Sequence, residues 1–199
     1  MSSLRLSLVL LSLGLVPLVG HAQTTVVESP PPVNAVWVEK NIEFTYMGFT
    51  SFYSCDGLRD KLRWVLEEIG ARPGFKVTVV GCINTGPDRM PHARITAAMP
   101  RPATPELLAE LAKEASQRDQ AAPPISQFPA RTRQVEFKDD PLDHIEDGDC
   151  ELVEQLRDNV FIPLGARVVE DHMSCTPKQL NLGGVRLTIE VLEPVPEKK

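Results

Sequence analysis

The chain has 199 residues, 42% of them hydrophobic and 24% charged, with a formal charge of −6 at pH 7. That length suffices for one medium domain or two small ones around a shared core. The acid excess repels phosphate groups, so nucleic acid and anionic lipid headgroups are excluded as expected partners.

Residues 4–19 form a mostly apolar run around a lone Arg5, followed by Gly20-His21-Ala22, where small residues occupy the positions a signal peptidase reads. The pattern predicts a signal peptide over residues 1–22 and a mature start at Gln23. Removing it leaves 20 basic and 27 acidic residues, and no later segment is long and apolar enough to be a membrane helix. Residues 23–35, with Ser29-Pro30-Pro31-Pro32, predict an extended N-terminal arm, because three consecutive prolines remove three backbone donors.

Next comes a first unit over residues 36–100. Ile42, Phe44 and Tyr46 alternate with Glu43 and Thr45, the period of a half-buried strand, which could run on to Tyr53. Ser54 then caps a helix that carries Asp56 in its first turn, Leu58, Leu62, Val65, Leu66 and Ile69 on one face, and a stop at Gly70. Strands follow at residues 75–82 and 92–99, separated by a Gly- and Pro-rich turn.

Residues 101–132 connect the halves. Thr104-Pro105-Glu106 starts a helix whose narrow Leu107, Leu108, Leu111 stripe suits covering an edge or face of a sheet, and Ala121-Ala122-Pro123-Pro124 ends it. A second unit over residues 133–194 repeats the first: strand 134–138, a helix capped by Asp149 and ending near Gly165, and strands 168–175 and 185–192. Pro163 should kink or terminate the last helical turn. Residues 195–199 form a tail.

The second unit reads as a copy of the first. Ile42-Glu43-Phe44 recurs as Val135-Glu136-Phe137, Ser54-Cys55-Asp56 as Asp149-Cys150-Glu151, Gly70-Ala71-Arg72 as Gly165-Ala166-Arg167, and Arg94-Ile95-Thr96 as Arg186-Leu187-Thr188, with offsets drifting only between 92 and 95. Four cysteines in an exported chain predict two disulfides, for which three pairings exist. Duplication selects Cys55 with Cys82 and Cys150 with Cys175, since a unit that once folded alone would have closed its own bridge. Each would close a loop of about 25 residues, worth on the order of 3 kcal/mol. Cys82 shares alternation parity with Lys76, Thr78 and Val80 rather than with Val77 and Val79, so the bridge requires Gly81 to break the strand's regularity.

Chemistry-bearing motifs are sparse. His92, His144 and His172 have no metal-binding spacing; His172 with Met173 and Cys175 offers at most a soft-metal set, which a disulfide at Cys175 would remove. Asp139, Asp140, Asp143, Glu146, Asp147 and Asp149 form an acidic run without the spacing of a calcium loop, better explained as a solvated segment before a helix N-terminus. There is no Gly-x-Ser-x-Gly elbow, no Cys-x-x-Cys and no phosphate loop. Arg72, Arg94, Arg167 and Arg186 recur in register and are the candidate ligand-binding residues, since a guanidinium can clamp a carboxylate through two hydrogen bonds; structural ion pairs are the plain alternative.

The stretch from Tyr53-Ser54-Cys55-Asp56-Gly57-Leu58-Arg59 through Gly70-Ala71-Arg72 and Gly81-Cys82, with Asp149-Cys150-Glu151-Leu152 in the second half, resembles a group of uncharacterised exported bacterial proteins. The resemblance implies a periplasmic or secreted location and supplies no functional residue. The expected fold is α+β: two tandem βαββ units, helices packed on antiparallel or mixed sheets, one disulfide per unit. The expected function is a non-catalytic periplasmic binding or protein-interaction module without metal or cofactor, contacting an envelope protein or ligand through the face or cleft between the units. The alternatives are an envelope enzyme, such as a hydrolase whose acidic residues converge in three dimensions, and a periplasmic metal-handling protein.

Overall fold

The computed structural model describes residues 30–82, 86–88, 90–117, 125–138, 144–179 and 184–196. Residues 1–22, where a signal peptide is expected, residues 23–29 of the expected arm, and Asp139, Asp140 and Asp143 of the acidic run lie outside the described residues. Strands β1 (Val33–Thr45), β2 (Lys76–Val80), β3 (His92–Pro102), β4 (Phe128–Lys138), β5 (Arg167–Asp171) and β6 (Arg186–Pro194) form one antiparallel sheet in the order β2-β3-β1-β4-β6-β5. Helices α1 (Cys55–Glu68), α2 (Pro105–Gln117) and α3 (Cys150–Leu156) complete an α+β fold. No helix among the described residues is long and apolar enough to cross a membrane.

Helix α1 forms as its sequence dictates. The Ser54 hydroxyl accepts the Gly57 N–H at 3.1 Å, and Leu58, Leu62, Val65 and Leu66 are buried. At its end Gly70, at φ +80°, lets Ala71 N–H reach the Leu66 carbonyl and its own N–H reach Glu67. The same double bond closes the second helical segment at Gly165, φ +96°, where Ala166 donates to Phe161 and Gly165 to Ile162. The recurring Gly-Ala pair is thus a left-handed helix stop used twice.

Several elements depart from expectation, and β2 and β5 end early, at Val80 and Asp171, short of the cysteines that each strand was expected to reach. β1 begins at Val33, inside the region read as an arm, and β4 begins at Phe128, inside the linker. Between its α-helical turns the last helix widens into a π segment, Arg157–Phe161, where Ile162 N–H bonds the Arg157 carbonyl five residues back; Pro163, which has no N–H to give, follows directly and the helix continues through Ile162–Leu164. Asp149 sits at the N-cap of α3 but its side chain makes no cap bond. Its carboxylate turns inward instead, for the reason given below.

The halves meet along a short seam. β1 and β4 pair only at Val33 with Ala130, Asn34 with Pro129 and Ala35 with Phe128, then run away from each other. The core is nonetheless continuous: Phe44, Tyr46, Leu62, Leu66 and Ile95 from the first half belong to one cluster with Phe137, Leu152, Leu156, Phe161 and Ile189 from the second. Trp64 of α1 lies edge-on to Phe137 of β4 at 6.2 Å, and the Arg133 side chain of β4 donates to the Glu68 carbonyl that ends α1. Helix α2 buries no residue; it lies over Val38, Lys40 and Arg101 by way of Leu107 and Leu111.

Candidate functional site: the helix-free face of the sheet

Alternation decides which side chains the sheet offers to solvent. Phe44, Ala93, Ile95, Val135, Phe137, Leu187 and Ile189 face the helices and are buried. The opposite parity presents Glu39, Asn41, Glu43, Arg94, Thr96, Glu136, Thr188 and Glu190; Glu39 also borders the pocket under α2, and no helix of the described chain lies over the others.

All four recurring arginines lie on this face. Arg94 approaches Glu43 at 3.4 Å, Arg186 approaches Glu136 at 3.9 Å, and Arg167 donates to Glu190 at 2.8 Å. The first two pairs occupy corresponding places in the two halves, and each guanidinium already has a carboxylate beside it. Exposed pairs of this kind contribute roughly 0–1 kcal/mol, so they order the face more than they stabilise the fold. Arg72 differs: among the described residues no carboxylate pairs with it, and its guanidinium lies over the Trp37 ring, 5.7 Å from the centroid.

Around Arg72 the face is concave. A groove of about 470 Å³ is lined by Trp37, Glu39, Arg72, Phe75, Lys76 and Thr96, with Ala98 in its floor. Its wall exists because the Arg72 N–H bonds the Ala98 carbonyl at 2.9 Å, which ties the segment after α1 to the edge of β3 before β2 begins. Phe128 packs against Trp37 at 5.2 Å between centroids, and Arg63 sits over Phe75 at 5.5 Å. Lys76 likewise has no acidic partner among the described residues. Sequence reading identified Arg72 by its repetition but missed Trp37, Phe75 and Lys76, whose only signal was aromatic and basic character at positions where a strand offers them to solvent.

A second polar constellation lies inside the molecule. The Asp149 carboxylate, 2% exposed, accepts from the Tyr53 hydroxyl, from Lys61 at 2.6 Å and from the Glu146 N–H at 2.8 Å. Lys61 also donates to the His144 carbonyl at 2.8 Å. Glu151, 6% exposed, accepts the N–H groups of Phe49 and Thr50 and the Thr50 hydroxyl, each at 2.9 Å. Burial chiefly, and the neighbouring carboxylates secondarily, push the Tyr46 and Tyr53 hydroxyls far above the usual tyrosine range. Because both carboxylates accept from donors of the opposite half, Tyr53 and Lys61 for Asp149 and Phe49 and Thr50 for Glu151, this constellation works as a polar lock between the halves.

Both disulfides form as the duplication selects: Cys55 to Cys82 and Cys150 to Cys175. The parity conflict at Cys82 dissolves because β2 ends at Val80 and Gly81, at φ +90°, redirects the chain. His92 contacts Glu43 at 2.5 Å and Thr45 at 2.9 Å on the helix-free face, while His144 packs on Trp64 at 5.0 Å. Among the described residues no three His, Cys, Asp or Glu side chains converge as a metal set. No protein-family model, curated protein or solved structure matches the chain.

Proposed function

We propose that the protein is an exported, non-catalytic binding module built from two fused copies of a βαββ unit, and that the helix-free sheet face is its contact surface. The observation carrying the reading is the convergence of Arg72, Arg94, Arg167 and Arg186 on one uncovered face, beside a groove with aromatic and cationic walls. Duplication is supported by topology and register together. Each half arranges its strands alike, β2-β3-β1 and β5-β6-β4. At the seam Ala35 pairs with Phe128, 93 residues on, the same offset that separates Ile42 from Val135. Two disulfides suit an oxidising compartment outside the cytoplasm, in keeping with the signal-like N-terminus and the likeness to exported bacterial proteins.

The saturated carboxylates of the lock weigh against acid–base chemistry there, since a catalytic group needs a position open to substrate. Site-specific photo-crosslinking in living cells tests the reading. A photoreactive side chain at Thr96, on the helix-free face, should trap a discrete adduct, and one at Lys113, on the exposed side of α2, should not. Absence of any adduct from Thr96, or equal capture from both, would reject this face as the contact surface.

A further inference from the structure

Resting on that reading, we infer that the Trp37–Arg72 groove binds a hydrophilic ligand bearing a carboxylate at one end and hydrogen-bond donors at the other. The Trp37 ring holds the Arg72 guanidinium beside the groove, 5.7 Å from the ring centroid, and no described side chain takes up its N–H groups, so part of the cost of placing the fork is met before any ligand arrives. A planar, oriented guanidinium matches a carboxylate through two parallel bonds. Lys76 lines the same groove and adds a second positive charge that no described carboxylate neutralises.

Glu39 fixes the polarity of the site. It lines the groove on β1, paired in register with Ala98 across the floor. A carboxylate there repels the ligand's own carboxylate, which Arg72 and Lys76 attract, and accepts hydroxyl or ammonium donors from the rest of the ligand. The floor of Thr96 and Ala98 is small, and Phe75 and Trp37 supply flat flanks. A volume of about 470 Å³ lies in the range of small-ligand sites and suits two or three joined sugar or amino-acid residues. Each of the other three recurring arginines has a carboxylate beside it, Glu43, Glu136 or Glu190, that competes with a ligand's own.

Titration of the oxidised protein, read by the NMR indole N–H resonance of Trp37, tests the inference; the Trp37→Phe variant assigns that signal against Trp64. Trialanine and digalacturonate are each compared with a counterpart whose carboxylates are masked, the peptide amide and the methyl ester. At least one carboxylate form should shift the Trp37 signal saturably, and its masked counterpart should need at least tenfold more ligand. The form that binds identifies a peptide end or an acidic sugar as the source. Arg72→Ala should weaken binding at least tenfold and Arg72→Lys less, while Lys113→Ala, on the exposed side of α2, leaves it unchanged. Equal binding of the carboxylate forms and their masked counterparts, full retention in Arg72→Ala, or no shift with either carboxylate would overturn the inference. Crosslinking from Thr96 is judged separately, so the contact surface can stand where the carboxylate preference falls.

Discussion

Lys61 of α1 donates to the buried Asp149 carboxylate at 2.6 Å, joining residues 88 positions apart across the two halves of the chain. Removing one member of a buried pair strands the other, at a cost of about 3–5 kcal/mol. Asp149→Ala should therefore lower the unfolding free energy by about 3 kcal/mol or more, and Asp149→Asn by a large part of that, because Lys61 is left uncompensated in both. Urea unfolding curves of the three proteins, at equal slope, check this; a loss below about 1 kcal/mol would mean that the lock is dispensable.

Glu151 should act locally. It holds the Phe49 and Thr50 amides, and Gln155 exchanges two bonds with the Met47 backbone at 2.8 and 3.0 Å. Glu151→Ala leaves those amides without their acceptor, at about 1–3 kcal/mol. Hydrogen exchange should quicken at Phe49 and Thr50 and stay slow in β3 and β6. Uniform quickening would instead assign Glu151 to global stability.

The raised tyrosines give stability a pH limit. The neutral phenol is the form the folded state favours, so Tyr46 and Tyr53 stay protonated in the fold where the unfolded chain has begun to ionise, near pH 10. Above that pH the unfolded state binds fewer protons, and stability falls as pH rises. It should be insensitive to these two groups below about pH 9. The urea midpoint should drop between pH 9 and 11, and the drop should shrink in Tyr46→Phe; an unchanged alkaline drop in that variant would remove Tyr46 from the account.

The bridges should differ in accessibility. Cys150 is buried, whereas Cys55 and Cys82 are both partly exposed. Limited reductant followed by alkylation and peptide mass analysis should label Cys55 and Cys82 before Cys150 and Cys175. Full reduction should lower stability by about 2–5 kcal/mol per bridge. Labelling in the reverse order would contradict the burial argument.

Where one face of an element is buried and the other wet, the sequence spoke clearly. Val185, Leu187, Ile189 and Val191 alternate with Arg186, Thr188 and Glu190, and β6 follows that pattern almost to the residue. The start of β1 did not speak, because its neighbours Val36, Trp37 and Val38 are covered on both sides: the valines from the helix side, Trp37 by Arg72 and Phe128. No alternation survives such covering. Pro129 disguised the start of β4 in another way, since a proline reads as a strand breaker although here it sits opposite Asn34 at the seam. For the candidate groove, repetition pointed to Arg72; that, among the described residues, it lacks the carboxylate the other three have was invisible, because Glu43, Glu136 and Glu190 reach those three only through strand register.

The seam carries an implication for ancestry. Ala35 and Phe128, counterparts under the proposed duplication, pair with each other, so the axis relating the halves passes between them. A solitary ancestral half would have exposed the seam edge of its own sheet and the apolar surface that α1 now shares with β4. Under that duplication its natural complement would be a second molecule of itself, joined strand to strand about that axis, and fusing the two copies would put both members of a symmetric pair into one chain.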